Sequence, residues 1–145
     1  MDEKFEALRL ENQICFPLYA ASREIIKMYK PHLDKIDLTY TQYIVMMLLW
    51  DKREMTSKEI GERLYLDSGT LTPLLKKLEE KCLINRSRDT LDERNLLICI
   101  TEKGMALRNK AAAIPKEMKK CSGISSRDAR ELYRILYKML GQDEK

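Results

Sequence analysis

Histidine is nearly absent, with His32 alone among 145 residues, and the four cysteines (Cys15, Cys82, Cys99, Cys121) show no close-paired spacing. These two shortages remove the common zinc ligand sets and most groups used in nucleophilic catalysis, so no metal, no cofactor and no enzyme activity is expected. No paired-carboxylate motif, Gly-rich phosphate loop or internal repeat stands out. Two Phe and one Trp argue against a bulky aromatic core, and five Gly and four Pro leave few breakers. No apolar run approaches the roughly 18 residues that cross a bilayer. The longest, Tyr43 to Trp50, is about two helical turns. The opening MDEKFEALRLENQ is charged and has no apolar signal core, so export is not expected and a cytoplasmic chain with reduced thiols is.

What is present is charge and helix-forming residues: 34% of the chain is charged, 44% is hydrophobic, and the net charge is +4. Residues 1–145 suit one mainly α domain, and so modest a charge neither requires nor forbids nucleic acid. Phe5, Leu8, Asn12, Cys15, Tyr19, Ser22, Ile26 and Tyr29 recur alternately three and four residues apart. A second stripe, Ile14, Leu18, Ala21, Ile25 and Met28, runs beside them. The spacing predicts one helix over about 5–30, apolar on a face too wide for a single neighbour. Pro17 kinks it or marks a restart, and Pro31 limits its end, leaving His32 in an exposed loop.

Thr39 with Gln42 and Thr56 with Glu59 form two capping-box signatures, opening helices to Trp50 and to about Tyr65. Asp67-Ser68-Gly69 then breaks the chain before a helix to Lys81, whose start is either Ser68 or the Thr72-Pro73 turn. Two short helices across a tight turn make a helix-turn-helix. The segments Leu83–Arg88 and Asn95–Thr101 flank a polar tip and form a hairpin, which in this position is a wing. Thr101 caps a long helix to about Lys120, bent near Pro115, and Ser125 with Asp128 caps a last helix ending by Gly141. The expected architecture is a mainly α winged helix-turn-helix with a small β-hairpin. Its DNA-binding lobe spans about 41–101, and helices at about 5–30 and 102–141 form a dimerisation layer.

From Arg63 to Arg88 there are six basic residues against three acidic ones. The hydroxylated start of the second helix, Ser68, Gly69, Thr70 and Thr72, allows close approach to a groove, and Lys76, Arg86 and Arg88 supply charge. Arg94, beside Asp92 and Glu93 at the hairpin tip, suits a minor groove, with a carboxylate fixing its fork. These nine residues, Asp92 included, form the expected DNA-binding set. Cys82 and Cys99 read as packing residues, and the many Met as core filler.

The stretch LYLDSGTLTPLLKKLEEKCLINRSRDTLDERNLLICITEKG, Leu64 to Gly104, resembles the MarR family of winged-helix regulators, most specifically in its Asp-Glu-Arg tip and Thr-x-x-Gly. More narrowly, NQICFPLYAASREIIKMYKPHLDKIDLTYTQYIVMMLLW, Asn12 to Trp50, resembles the organic hydroperoxide resistance regulator (OhrR) branch. The resemblance implies a homodimeric repressor that holds a palindromic double-stranded operator while reduced. An organic hydroperoxide then oxidises one cysteine and the dimer lets go. By position the reactive cysteine is Cys15, and the tyrosines that hydrogen-bond its sulfur are Tyr29 and Tyr40. Phe16 and Tyr19 would line the pocket. In many members a second cysteine near the loop before the last helix resolves the oxidised sensor, and Cys121 stands in that neighbourhood. Tyr29 lies about 21 Å beyond Cys15 along one helix, at roughly 1.5 Å per residue, so their contact requires the partner subunit. An alternative keeps the fold and makes Cys15 inert: a MarR-type repressor released by a small phenolic or lipophilic ligand.

Overall fold

The computed structural model describes residues 3–92 and 94–142. Contacts divide the chain into two compact units, Met1–Ile114 and Pro115–Lys145. The first carries α1 (Glu3–Glu6), a 3-10 turn at Leu10–Asn12, α2 (Cys15–Asp34), α3 (Tyr40–Lys52), β1 (Glu54–Thr56), α4 (Ser57–Leu64), α5 (Ser68–Glu80), β2 (Ile84–Arg88), β3 (Leu96–Ile100) and α6 (Glu102–Ala111). A further helix, α7 (Ile114–Cys121), opens at the boundary, and α8 (Ser126–Met139) lies in the second unit.

The start of the chain departs from the single helix expected over 5–30. The amide of Asn12 donates to the Glu6 carbonyl at 2.9 Å, and that of Gln13 donates to the Ala7 carbonyl. Side-chain amides thereby take up carbonyls that a continuous helix would have used, and the chain turns. A helix restarts at Cys15, with Pro17 third in it, where a missing N–H costs nothing. Pro31 does not end this helix, which runs on to Asp34. The buried Leu33, Ile36 and Leu38 just beyond Pro31 anchor that turn in the core. His32 is accordingly helical and half-buried rather than in a loop.

Both expected capping boxes are present. Thr39 and Gln42 reciprocate at the start of α3, and Thr56 and Glu59 do so at α4. α3 is the core helix: Tyr43, Val45, Met46, Leu49 and Trp50 are buried on it, against Ile60, Leu71, Leu75, Leu78, Ile84 and Ile98. The Trp50 indole donates to the Gly104 carbonyl at 2.8 Å. A Cβ at Gly104 would lie 2.3 Å from the Leu83 carbonyl oxygen, so only glycine allows α6 this close. Asp67 caps α5, accepting from the Thr70 N–H at 2.7 Å, which fixes the start at Ser68 and leaves Pro73 inside the helix.

The hairpin is part of a three-stranded antiparallel sheet of order β1-β3-β2, with Glu54 opposite Cys99 and Arg86 opposite Ile98. The three-residue strand β1, with Met55 as its one buried residue, is too short to show a period and was not expected. The long helix expected from Thr101 to Lys120 is two. Thr101 caps α6 as anticipated, but the helix ends at Ala111, and Pro115 sits second in α7, where a proline starts a helix rather than bending one. In the second unit Ser125 accepts from the Asp128 N–H at 3.1 Å, and α8 carries no buried residue.

Candidate sensor site and nucleic-acid interface

Cys15 is the first residue of α2, and its side chain is exposed. No side chain caps this helix start, because Ile14 offers no acceptor. The Phe16 N–H instead donates to the Gln13 carbonyl at 3.3 Å, Pro17 has no N–H to offer, and a helix amino end attracts negative charge. Leu10, Ile14, Phe16 and Pro17 line a largely apolar groove of about 630 Å³ at the same corner. Tyr19 is exposed but already engaged: its hydroxyl accepts from Arg23 at 3.0 Å, and that guanidinium lies 5.5 Å from the ring centre.

The second half of α2 meets α3 through tyrosines. The rings of Tyr29 and Tyr40 are 5.0 Å apart, and Tyr43 joins them at 5.8 Å from Tyr29 and 6.4 Å from Tyr40. Burial pushes all three phenols above the ordinary tyrosine value, and at Tyr40 and Tyr43 the neighbouring tyrosines add to it. They are neutral O–H donors at neutral pH. One chain thus brings Tyr29 and Tyr40 together and keeps Cys15 about four helical turns away from Tyr29. Tyr43 is a member that sequence reasoning did not single out; its position one turn after Tyr40 was the available signal.

The other cysteines differ in kind. Cys99 is half-buried and its thiol donates to Glu54 Oε2 at 3.7 Å. Burial first, then the Glu54 charge, pushes its pKa up, so it stays a thiol. Cys82 is not the packing residue expected: it is exposed, with φ of 61°, in the turn that carries the chain from α5 into β2. Cys121 is exposed at the end of α7.

On the lobe expected to face DNA, Ser68, Gly69, Thr70, Thr72 and Lys76 all lie on exposed positions of α5, while Leu71, Leu74, Leu75 and Leu78 bury the opposite face. Arg88 is exposed at the end of β2. At the hairpin tip the Arg94 side chain is 90% exposed, and Asp92 grips its fork with Nε–Oδ1 at 3.1 Å and Nη2–Oδ2 at 3.2 Å. The Arg94 hydrogen bonds hold the Asp92 carboxyl below the usual range. Glu93 lies outside the described residues. Arg86 is half-buried: its guanidinium is held by Glu79 at 3.0 and 3.1 Å, and it lines the cleft between the helix-turn-helix and the hairpin. Between the helix-turn-helix and the hairpin runs a cleft of about 590 Å³, with Lys58, Tyr65, Thr72, Arg94 and Asn95 along it.

The profile of the SarA/Rot transcriptional regulators matches residues 27–111. The organic hydroperoxide resistance transcriptional regulator of Bacillus subtilis is 50% identical over 140 residues, covering 97% of this chain and 95% of that protein. The chain belongs to the MarR family, in its organic hydroperoxide resistance branch. Another member, SarZ of Staphylococcus aureus, is 47% identical over 85% of this chain and 83% of its own length. AbfR of Staphylococcus epidermidis has been solved in several states. Its reduced, DNA-bound form matches with a TM-score of 0.77 at 33% identity, over 95% of this chain and 96% of that one. The overoxidised, DNA-bound form matches at 0.76 and 33%, over 95% and 97%, and the disulfide form at 0.65 and 34%, over 94% and 96%. The MarR winged helix therefore accounts for the order of elements from α3 to β3, and the chain is a DNA-binding transcriptional regulator.

Proposed function

We propose that this chain is a homodimeric repressor that binds a palindromic operator while Cys15 is reduced and releases it when an organic hydroperoxide oxidises that thiol. The observation that carries the reading is the split site: Tyr29 and Tyr40 are packed together as neutral donors, and the exposed Cys15 sits at the other end of the helix that carries Tyr29. A second copy with its α2 running antiparallel supplies the missing half to each. The exposed apolar residues Ile14, just before α2, and Leu18, Ile25 and Ile26 on it, with Leu132, Ile135 and Leu140 in the second unit, support a dimer, because surface of this extent is rarely left in water.

The chemistry is a two-electron oxidation. The Cys15 thiolate attacks the terminal oxygen of R–O–O–H, the O–O bond breaks, and the alkoxide leaves and takes a proton from water to become R–OH, with sulfenic acid on the sulfur. The phenols of the partner's tyrosines donate to the thiolate and to the oxygen it accepts. The apolar groove beside Cys15 favours an alkyl or fatty-acid peroxide over hydrogen peroxide. A thiolate, supplied by Cys121 of the second copy or by a small thiol, then displaces hydroxide from the sulfenic sulfur, forming a disulfide and, after protonation, water. AbfR is DNA-bound both reduced and overoxidised, which favours the disulfide, rather than oxidation as such, as the releasing event in this chain. Exposed DNA contacts are assigned to Ser68, Gly69, Thr70, Thr72, Lys76, Arg88 and the Asp92-held Arg94. Dimer symmetry places half-sites about 34–36 Å apart.

A gel shift on the DNA upstream of the chain's own gene tests this reading. Cumene hydroperoxide releases the wild type, dithiothreitol restores binding, Cys15→Ser stays bound, and Cys121→Ser is released more slowly. A complex indifferent to peroxide but dissolved by a phenolic ligand would replace the redox reading with a ligand-gated one.

A further inference from the structure

Arg86 was expected to touch DNA, and Glu79 engages it at three points. Glu79 Oε2 accepts from the Arg86 backbone N–H at 2.9 Å, and Oε1 accepts from Nε and Nη2 at 3.1 and 3.0 Å. β2 is an edge strand, so this N–H points away from β3 and has no ladder partner. Glu79 lies in the last turn of α5, the helix whose exposed start carries Ser68, Thr70 and Thr72. Two residues beyond Arg86, β2 ends and the chain enters the tip that carries Arg94.

We propose that Glu79 is a positioning residue for operator recognition, clamping the wing to the recognition helix through Arg86 so that Arg94 and the start of α5 meet the duplex in a fixed relation. The inference rests on the DNA-binding reading above. Three hydrogen bonds donated by one residue to one carboxylate fix both the height of the strand and its rotation, which a single ion pair would not. Arg86 holds the Glu79 carboxyl below the ordinary glutamate range, so the clamp is ionised throughout the neutral range and opens only as pH falls through that lowered value. A second carboxylate, Asp92, does at the tip what Glu79 does at the base, so the exposed fork of Arg94 is held at both stages.

The proposal makes a prediction of opposite sign to simple electrostatics. Removing an acid from the DNA-facing lobe and freeing an arginine should strengthen binding to a polyanion. Loss of the clamp should weaken it. With reduced full-length protein and the upstream DNA fragment, Glu79→Gln is expected to lower affinity about tenfold, the scale of losing one good groove contact. In an Arg94→Ala background the same substitution should change affinity less than about twofold, because the residue being positioned is gone. Unchanged or tighter binding by Glu79→Gln, or an equal loss in both backgrounds, overturns the proposal. Amide exchange on the DNA-free protein gives a readout that does not depend on DNA. Exchange at Arg86, Asp89 and Asn95 should quicken in Glu79→Gln and in Arg86→Gln, with the α3 amides unaffected. Exchange that does not change overturns the clamp itself, whereas a wild type that shifts no DNA overturns the recognition role together with the reading beneath it.

Discussion

Between residues 39 and 101 the helices open on capping side chains (Thr39, Thr56, Asp67), and their apolar faces close on one another around Leu49, Leu75 and Leu78. Between residues 3 and 30 no residue is buried, and the helix that carries Cys15 opens with no side-chain cap. The first region satisfies its own hydrogen bonds and covers its own core, so it can present a fixed surface to DNA. The second leaves Leu8, Ile14, Phe16 and Leu18 in water with the exposed Cys15 thiol among them. A region unfinished within one chain can be finished by a second chain, and its state can then depend on what happens at the joint.

The sharpest way to break this contrast is to weaken each side. Leu49→Ala, at a position with no exposure, should cost about 2–5 kcal/mol in urea unfolding. A smaller loss would mean that the lobe is less closely packed than described. For the sensor region the corresponding test is concentration. If a partner completes it, unfolding free energy should rise by about 1.4 kcal/mol for each tenfold increase in protein. A midpoint independent of concentration would leave the apolar N-terminal face unexplained.

Smaller effects sharpen the picture of the lobe. Thr56→Ala removes one capping box and should cost about 1 kcal/mol. Cys82→Gly relieves a residue held at φ of 61° and should stabilise by about 1 kcal/mol, against the loss expected had Cys82 been core. The smallest effect concerns the tyrosine cluster. Its raised phenols add stability that is present below the ordinary value of 10.0 and is lost as pH rises through their higher folded-state values. A spectrophotometric titration should therefore show late phenolate formation, reduced by Tyr29→Phe and Tyr40→Phe, with the buried Tyr43 left as the late group.

The lobe was the more legible region because its signals are local. A capping box or a hairpin is written in neighbouring residues, and the helix-turn-helix, the wing and the Asp92-held Arg94 were all readable from them. The N-terminal break was not. A stripe of apolar residues three and four apart satisfies the helical period whether or not Asn12 and Gln13 divert the carbonyls of Glu6 and Ala7. Arg86 and Glu79 stand seven residues apart on different elements, so only the fold could reveal that a residue expected on DNA is tied down. Likewise Pro31 marks no helix end, because the burial of Leu33 and Ile36 outweighs one lost hydrogen bond.

The most direct test of the shared site is a mixed dimer. One subunit carries Cys15→Ser with its tyrosines intact, and the other keeps Cys15 but carries Tyr29→Phe and Tyr40→Phe. If the cysteine of one chain meets the tyrosines of the other, this heterodimer holds one complete site, and its single Cys15 should form sulfenic acid with cumene hydroperoxide at the wild-type rate. Oxidation as slow as in the Tyr29→Phe, Tyr40→Phe homodimer would mean that the site lies within one chain, and would contradict the account.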